Sequence, residues 1–509
     1  ATSSRQEGER TPGVSHMAGA RAVRPGEMTF LLLLACDSES PDGVPGESIV
    51  DLGPLTAVVD TTIPTVFTVS WEDSFEGTER FIEYGRTGEA FDRRTNALPG
   101  STGKVIGLTG GQSWDLRAVV IGADGERGES EVLTVEVVAP PSELQRFVLL
   151  SADAEREPNL QSLHFVSVIQ DGNAWLAAVD ENGDYAWWLE SENNRDIDAL
   201  HTAVSGTGLL YTHFGTAAED AGIGHIQFDG SGAGYTVAYP AHLDARDATD
   251  GTHYYLSAET MRNVQLEDGT VTDLRTDTVH RIPAGATESE TLFSFEENFP
   301  HPYYRTCNHF DEERPAGGLD FSHINSLMID EDAGQVLILS KNLDALMSMD
   351  IQSGEFLWQI GGRWSDYRDV DGDQPPTNDQ AWQVDGPNAT WWSHAHMSDY
   401  WHDGMLVFDN GAHHGVMTSR VVEYSIDHDA KTIEKVNEWP SPSGTFTPAL
   451  GDGRRLPNGN RLLAFMLEGR LLEVTPEGET VWDIGLELGA GIGRVTHVPD
   501  IYAGQPGPE

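Results

Sequence analysis

Three histidine clusters stand beside short apolar runs in the C-terminal two thirds of this 509-residue chain. Leu200-His201-Thr202 precedes Gly208-Leu209-Leu210-Tyr211, and Leu319-Asp320-Phe321-Ser322-His323-Ile324-Asn325 precedes Gln335-Val336-Leu337-Ile338. The third, Ser393-His394-Ala395-His396-Met397, leads into Met405-Leu406-Val407-Phe408-Asp409-Asn410-Gly411-Ala412-His413-His414. Imidazole changes charge near neutral pH, so it serves as a nucleophile when neutral and as an acid or base when shared with a substrate. His394-Ala395-His396 and His413-His414 could also hold Zn or Ni, but no carboxylate stands at firm ligand spacing, and no metal is assigned. The run Asp369-Val370-Asp371-Gly372-Asp373 is a candidate structural Ca²⁺ loop, whereas Asp180-Glu181-Asn182-Gly183-Asp184 reads as a hairpin. Neither a glycine-rich phosphate loop nor a serine nucleophile elbow occurs.

Something must bring these histidines together, and the sequence supplies a repeat. Gly183, Gly354 and Gly478 are each followed four residues later by a tryptophan, Trp187, Trp358 and Trp482. A tight glycine hairpin and a strand whose Trp packs between neighbouring sheets accounts for that pattern. The intervals suggest units of about 42 residues, a plausible propeller-blade length. Weaker hairpin signals at Asp229-Gly230-Ser231-Gly232 and Asp427-His428-Asp429 fit divergent blades. The expectation is an all-β chain with a β-propeller of about six blades over residues 145–503. Because each cluster precedes a turn and an apolar strand, its histidine should hold an equivalent place in its blade. Equivalent positions in a ring converge on the axis, which predicts one site.

Residues 50–141 alternate with period two between turn signals, as in Val66-Phe67-Thr68-Val69-Ser70-Trp71 and Trp114-Asp115-Leu116-Arg117-Ala118. Strands so spaced imply a small β-sandwich. With Trp71 on its second strand and Leu108-Thr109-Gly110-Gly111-Gln112-Ser113-Trp114 later, the segment resembles fibronectin type III, Trp114 standing where that family has tyrosine. Upstream, from Met17, Arg21 and Arg24 precede the apolar run 28–35, too short to cross a bilayer as a helix. Leu33-Leu34-Ala35-Cys36 resembles a bacterial lipobox. Residues 1–36 are therefore expected to be an upstream segment and lipoprotein signal with Cys36 lipidated, and 37–49 a flexible tether. The corresponding location is exported, held to the membrane by the lipid alone, in the periplasm or at the cell surface.

The charge narrows the partners. Lys+Arg 31 against Asp+Glu 82 gives a net charge of −51, a field that repels phosphate backbones and excludes nucleic acid as a partner. Only four of the cations are lysines, Lys104, Lys341, Lys431 and Lys435, and such an acidic, Lys-poor surface suits solubility in brine. A hydrophobic fraction of 39% with 13 Trp supports packed cores and excludes wholesale disorder.

Taken in order, His323-Ile324-Asn325-Ser326, Ser340-Lys341-Asn342-Leu343-Asp344, Gly354…Trp358…Gly361-Gly362, His396, Phe408-Asp409-Asn410-Gly411, Ser419-Arg420-Val421 and Leu456-Pro457-Asn458-Gly459 resemble the bacterial arylsulfotransferase family. The resemblance is strong over 315–485 and weaker over 145–315. It implies transfer of a sulfuryl group from a small aryl sulfate to a phenolic acceptor, with no cofactor and without PAPS. A neutral histidine would attack sulfur to give a sulfohistidine, and a second would protonate the leaving phenolate. On this reading His323 and His396 are catalytic, and His414, His413, Asn410, Arg420, Asn325 and His201 bind substrate. Two departures stand out. The family's arginine after Asp-Asn-Gly is replaced by Ala412-His413-His414, and no histidine lies between His428 and His497, where a later blade would supply one. The alternative is a propeller that binds a sulfated or phenolic ligand, or a partner protein, without turnover.

Overall fold

In a computed structural model the described residues are 49–503, apart from 73–74, 154–159, 171–172, 192–196, 214–220, 238–240, 300–301, 305–316, 373–390, 415 and 487–489. Cys36, its flanking signal and tether, and Asp373 of the proposed Ca²⁺ loop lie outside them. Among the described residues no helix is long and apolar enough to cross a membrane.

The first strands form two sheets face to face. Leu55–Val59, Phe67–Trp71 and Thr102–Val105 make one. Glu79–Arg86 and Ser113–Ile121 are the centre of the other, flanked by Arg93–Arg94, Arg127–Glu129, Leu133–Glu136 and Val50–Asp51. Alternation drives this: in Phe67–Trp71 every second residue is buried. Trp114 is fully buried against Tyr84, and its Nε1–H donates to the Thr109 carbonyl.

Six sheets, each built on four antiparallel strands, follow among the described residues. The second blade is Ile197–Thr202, Gly208–His213, Gly222–Gln227 and Gly234–Val237; the third is Ala241–Asp247, His253–Gln265, Val271–Ile282 and Glu290–Ser294. The fourth is Ile324–Asp330, Gln335–Ser340, Ala345–Asp350 and Phe356–Gly361. Ser398–Trp401, Gly404–Asp409, Arg420–Asp427 and Thr432–Pro440 make the fifth. Asp452–Arg455, Arg461–Phe465, Arg470–Val474 and Thr480–Gly485 make the sixth, with Val148–Ala152 added outside. The first blade takes its inner strand from the far end of the chain: Ala490–Val498 pairs with Leu163–Gln170, followed by Asn173–Val179 and Tyr185–Glu190. Inner strands of adjacent blades touch all the way round, so the C-terminal strand closes a ring. This is a six-bladed β-propeller.

Trp187, Trp358 and Trp482 lie on the fourth strands, counted from the axis, of the first, fourth and sixth blades. Trp187 donates to the Phe228 carbonyl of the second blade and Trp482 to the Glu181 carbonyl of the first, so both bridge blades. Their intervals span three blades and two, so the blades are longer than the expected unit of about 42 residues. The excess lies partly in added strands such as Leu319–Asp320 and Arg368–Asp369. Asp180 closes its hairpin by accepting the Asn182 and Asp184 amides, a structural use of that acidic run.

The sandwich and the ring share one apolar core. Tyr502 is fully buried there, its hydroxyl accepting the Ile106 amide at 2.9 Å while Asn96 donates to its carbonyl at 2.6 Å.

Candidate functional site

In three successive blades a histidine sits at, or just before, the start of the inner strand. His242 lies at the start of Ala241–Asp247, His323 immediately before Ile324–Asp330, and His396 shortly before Ser398–Trp401. The ring centroids are 6.1 Å apart for His242–His323 and 6.4 Å for His323–His396, both edge-to-face. Four lead-ins also hold a non-glycine residue in the left-handed region: Leu243 (φ 57°), His323 (φ 44°), His394 (φ 56°) and Leu450 (φ 59°). Such backbone costs on the order of 1–3 kcal/mol per residue and collects where side chains must be aimed at a site.

His396 is buried, and its Nδ1 lies 2.8 Å from Asn410 Oδ1. The Asn410 amide nitrogen already donates to the carbonyls of Thr447 and Leu450, which identifies Oδ1 as an acceptor. His396 therefore carries its proton on Nδ1, and the lone pair is on Nε2. Burial first, then the cations Lys341 and Arg494 and the ring of His323, hold the His396 pKa well below its ordinary value. The ring is neutral at neutral pH. His323 is fixed differently, with Nδ1 2.5 Å from Asp320 Oδ2, so a carboxylate orients it and compensates the charge when Nε2 takes a proton. His242 faces Asp277 at 3.8 Å. The Asp277 carboxyl is pushed up to about 6 by burial, against the hydrogen bonds it accepts from Ser322 and Ile324.

Cations complete the site. Lys341 is 7% exposed, whereas the other three lysines are more exposed and lie beside acids: Lys104 by Asp60, Lys431 by Asp366, Lys435 by Glu438. Arg494 is fully buried and crosses the axis, donating from the first blade to the Asn325 carbonyl of the fourth at 3.1 Å. Asn325 in turn donates to the Ala395 carbonyl beside His396 at 3.0 Å. Asn325 thus ties the two lead-ins together above an arginine floor.

A second group adjoins the first through Asp409, the neighbour of Asn410. His414 Nε2 and Arg420 Nε lie 2.7 and 2.8 Å from Asp409 Oδ2, and Arg420 also reaches Glu438. Arg420 stands opposite Asp409 in register. Burial opposes the Asp409 charge, but His414 and Arg420 outweigh it and its pKa is lowered. His413 packs edge-to-face on His394, with Nε2 atoms 2.9 Å apart.

His201 does not hold the equivalent place. It lies near the end of its inner strand, and both ring nitrogens are engaged: Nε2 with Asp244 Oδ1 at 2.7 Å, Nδ1 with Arg246 Nη1 at 2.5 Å. Burial, then Arg246, bring its pKa down to about 3 against the pull of Asp244, so the ring is neutral and saturated. His242, Asp320 as a partner of His323, and Arg494 are not among the residues expected from sequence. Asp320 was visible as i−3 to His323. His242 had no cluster around it, and Arg494 comes from the closing strand, with no local signature.

Residues 150–475 match the family model described as arylsulfotransferase (ASST). No curated protein has a matching sequence. Among solved structures the chain is similar to the β-propeller domain of Cps50 (Swd1) from Myceliophteria thermophila, at 9% identity over 68% of this chain and 98% of that one, TM-score 0.37. It is also similar to a streptogramin B lyase, at 11% identity over 68% and 90%, TM-score 0.35. Virginiamycin B lyase from Staphylococcus aureus is comparable, at 10% identity over 68% and 98%, TM-score 0.33.

Proposed function

The chain belongs to the arylsulfotransferase family, and from that premise we propose that it moves a sulfuryl group from an aryl sulfate to a phenol through a sulfohistidine on His396. The observation that carries this reading is the placement of His396: Asn410 Oδ1 accepts from Nδ1, and burial, then Lys341 and Arg494, disfavour the charged ring, which leaves Nε2 as a nucleophile that needs no base.

In the first half-reaction the Nε2 lone pair forms the N–S bond as the S–O(aryl) bond breaks. The leaving oxygen takes that electron pair and a proton from Nε2–H of His323, whose positive charge Asp320 offsets. In the second, the acceptor phenol gives its proton back to His323 Nε2 and its oxygen attacks sulfur. The N–S bond breaks and both rings return to their starting states. Lys341 supplies positive charge for the sulfuryl oxygens. The buried Lys341 and Arg494 also answer the problem that a net charge of −51 poses for an anionic donor, by making the channel less negative than the outside.

Incubation with 4-nitrophenyl sulfate tests this. Acceptor-dependent nitrophenolate release, and one sulfuryl group mapped to His396 when the acceptor is omitted, are expected. Absence of release from folded protein would leave the non-turnover binding reading in its place. The same reading puts the enzyme outside the cytoplasm, tethered by a lipid on Cys36, and Cys36→Ser should release it into the soluble fraction.

A further inference from the structure

At the end of the third blade's inner strand opposite His242, His225, Asp247 and His253 converge. His225 comes from the third strand of the second blade, and Asp247 and His253 are cross-strand partners in the third. His225 Nε2 is 3.1 Å from Asp247 Oδ2, and His253 Nδ1 is 2.6 Å from Asp247 Oδ1. The two imidazoles are 5.1 Å apart, and the ligand atoms of all three lie within 4.8 Å of one another. The turn joining Asp247 to His253 is rigid: Ala248 and Thr252 close it, with Gly251 at φ 85°. The side chains are 24%, 12% and 27% exposed, so an ion from solvent can reach them.

We propose that these three residues bind a divalent transition-metal ion of the zinc type, which staples the second blade to the third. Two imidazoles and one carboxylate are a nitrogen-rich set that suits Zn²⁺ and its neighbours and disfavours the oxygen-seeking Ca²⁺ and Mg²⁺. Zn–N and Zn–O bonds of about 2.0–2.2 Å fit inside the cluster after small side-chain rotations. Binding moves each ring proton to the other nitrogen, so His225 coordinates through Nε2 and His253 through Nδ1. Water completes the coordination on the exposed side. Asp247 is a carboxylate throughout the neutral range, because its bonds from His225 and His253 outweigh its burial and hold its pKa at about 2. The three positions are 22 and 6 residues apart, with no spacing signature, so the sequence reading assigned no metal here.

The full chain, stripped with a chelator, is titrated with Zn²⁺ by calorimetry. One tight site is expected, together with a rise in melting temperature. His225→Ala and His253→Ala should each weaken that site by at least the ~10–100-fold that loss of a mere outer-shell partner causes. His402→Ala, which alters an exposed histidine elsewhere, should leave it intact. Mapping of histidine modification by diethylpyrocarbonate on the unaltered protein is independent of how the variants fold: Zn²⁺ should protect His225 and His253. Protection confined to His394 and His413, no tight site, or a site unchanged in both variants would overturn the proposal.

Discussion

The wall between the second and third blades and the wall between the fourth and fifth each bury a histidine near the axis, and both rings are held neutral. His201 spends both nitrogens, one on Asp244 and one on Arg246. His396 spends only Nδ1, on Asn410. The two environments share the same physical ingredients, burial and nearby arginine or lysine, and differ in how many ring atoms the protein has claimed. A neutral pKa alone therefore does not mark a nucleophile; a neutral ring with one uncommitted lone pair does. The first wall reads as structure and the second as chemistry.

The sharpest way to break that contrast is to remove each ring. His396→Gln is expected to lower acceptor-dependent nitrophenolate release on the order of 10⁴–10⁶-fold, the scale on which losing a covalent nucleophile is felt, with the melting temperature little changed. Near-normal turnover in this variant would reassign the nucleophile. Next in size, Asp320→Asn and His323→Ala should cost about 10²–10⁴-fold, as general acid–base losses do. The loss should be smaller for 4-nitrophenyl sulfate than for phenyl sulfate, because nitrophenolate leaves readily without a proton. A loss independent of the leaving group would make His323 a positioning residue instead.

His201→Ala should do the reverse. It leaves Asp244 and Arg246 buried without their shared partner, a loss of about 3–5 kcal/mol in stability by denaturant unfolding, while the folded fraction keeps its turnover. If the folded fraction lost turnover as severely as His396→Gln, His201 would belong to the site and the contrast would fail.

These assignments also show what the sequence could display. Trp187, Trp358 and Trp482 announced strands packed between sheets, because a large ring four residues after a hairpin glycine has few other places to go. The ring of about six blades followed, although from a unit length that added strands and long lead-ins make too short. Within the site, partners that lie in the same cluster were on view, as Asp320 is to His323, and Asn410 sits in the same blade as His396. Arg494 and His242 were not, since their relation to His396 and His323 exists only once the C-terminal strand closes the ring and sets blades side by side. Likewise His201 looked equivalent to the others by its neighbours, but the inner strand carries it a few residues further along, into the reach of Asp244 and Arg246.

The last effect concerns pH and separates the two walls once more. His201 has its folded pKa lowered to about 3 from an ordinary 6.5, so between those values the unfolded chain binds the extra proton. Its contribution to stability is present above about pH 6.5 and is lost as the pH falls toward 3. Asp344, in a turn of the fourth blade that faces the fifth, is opposite. Burial pushes its carboxyl up to about 8, against the hydrogen bond it accepts from the His394 amide, so between 3.8 and 8 it is the folded chain that holds the extra proton. Its contribution is present below 3.8 and lost as the pH rises through 8. The two slopes oppose each other between about pH 4 and 6.5, and only the Asp344 slope persists from there to pH 8. Asp344→Asn keeps an oxygen for the His394 amide and removes the ionisation. It should therefore match the unaltered protein near pH 4 and gain on it by about 1.4 kcal/mol for each pH unit from there toward 8, measured by denaturant unfolding. A difference that shrinks with rising pH would mean that Asp344 is ionised in the folded protein, and that the second wall, like the first, is held together by a buried charge.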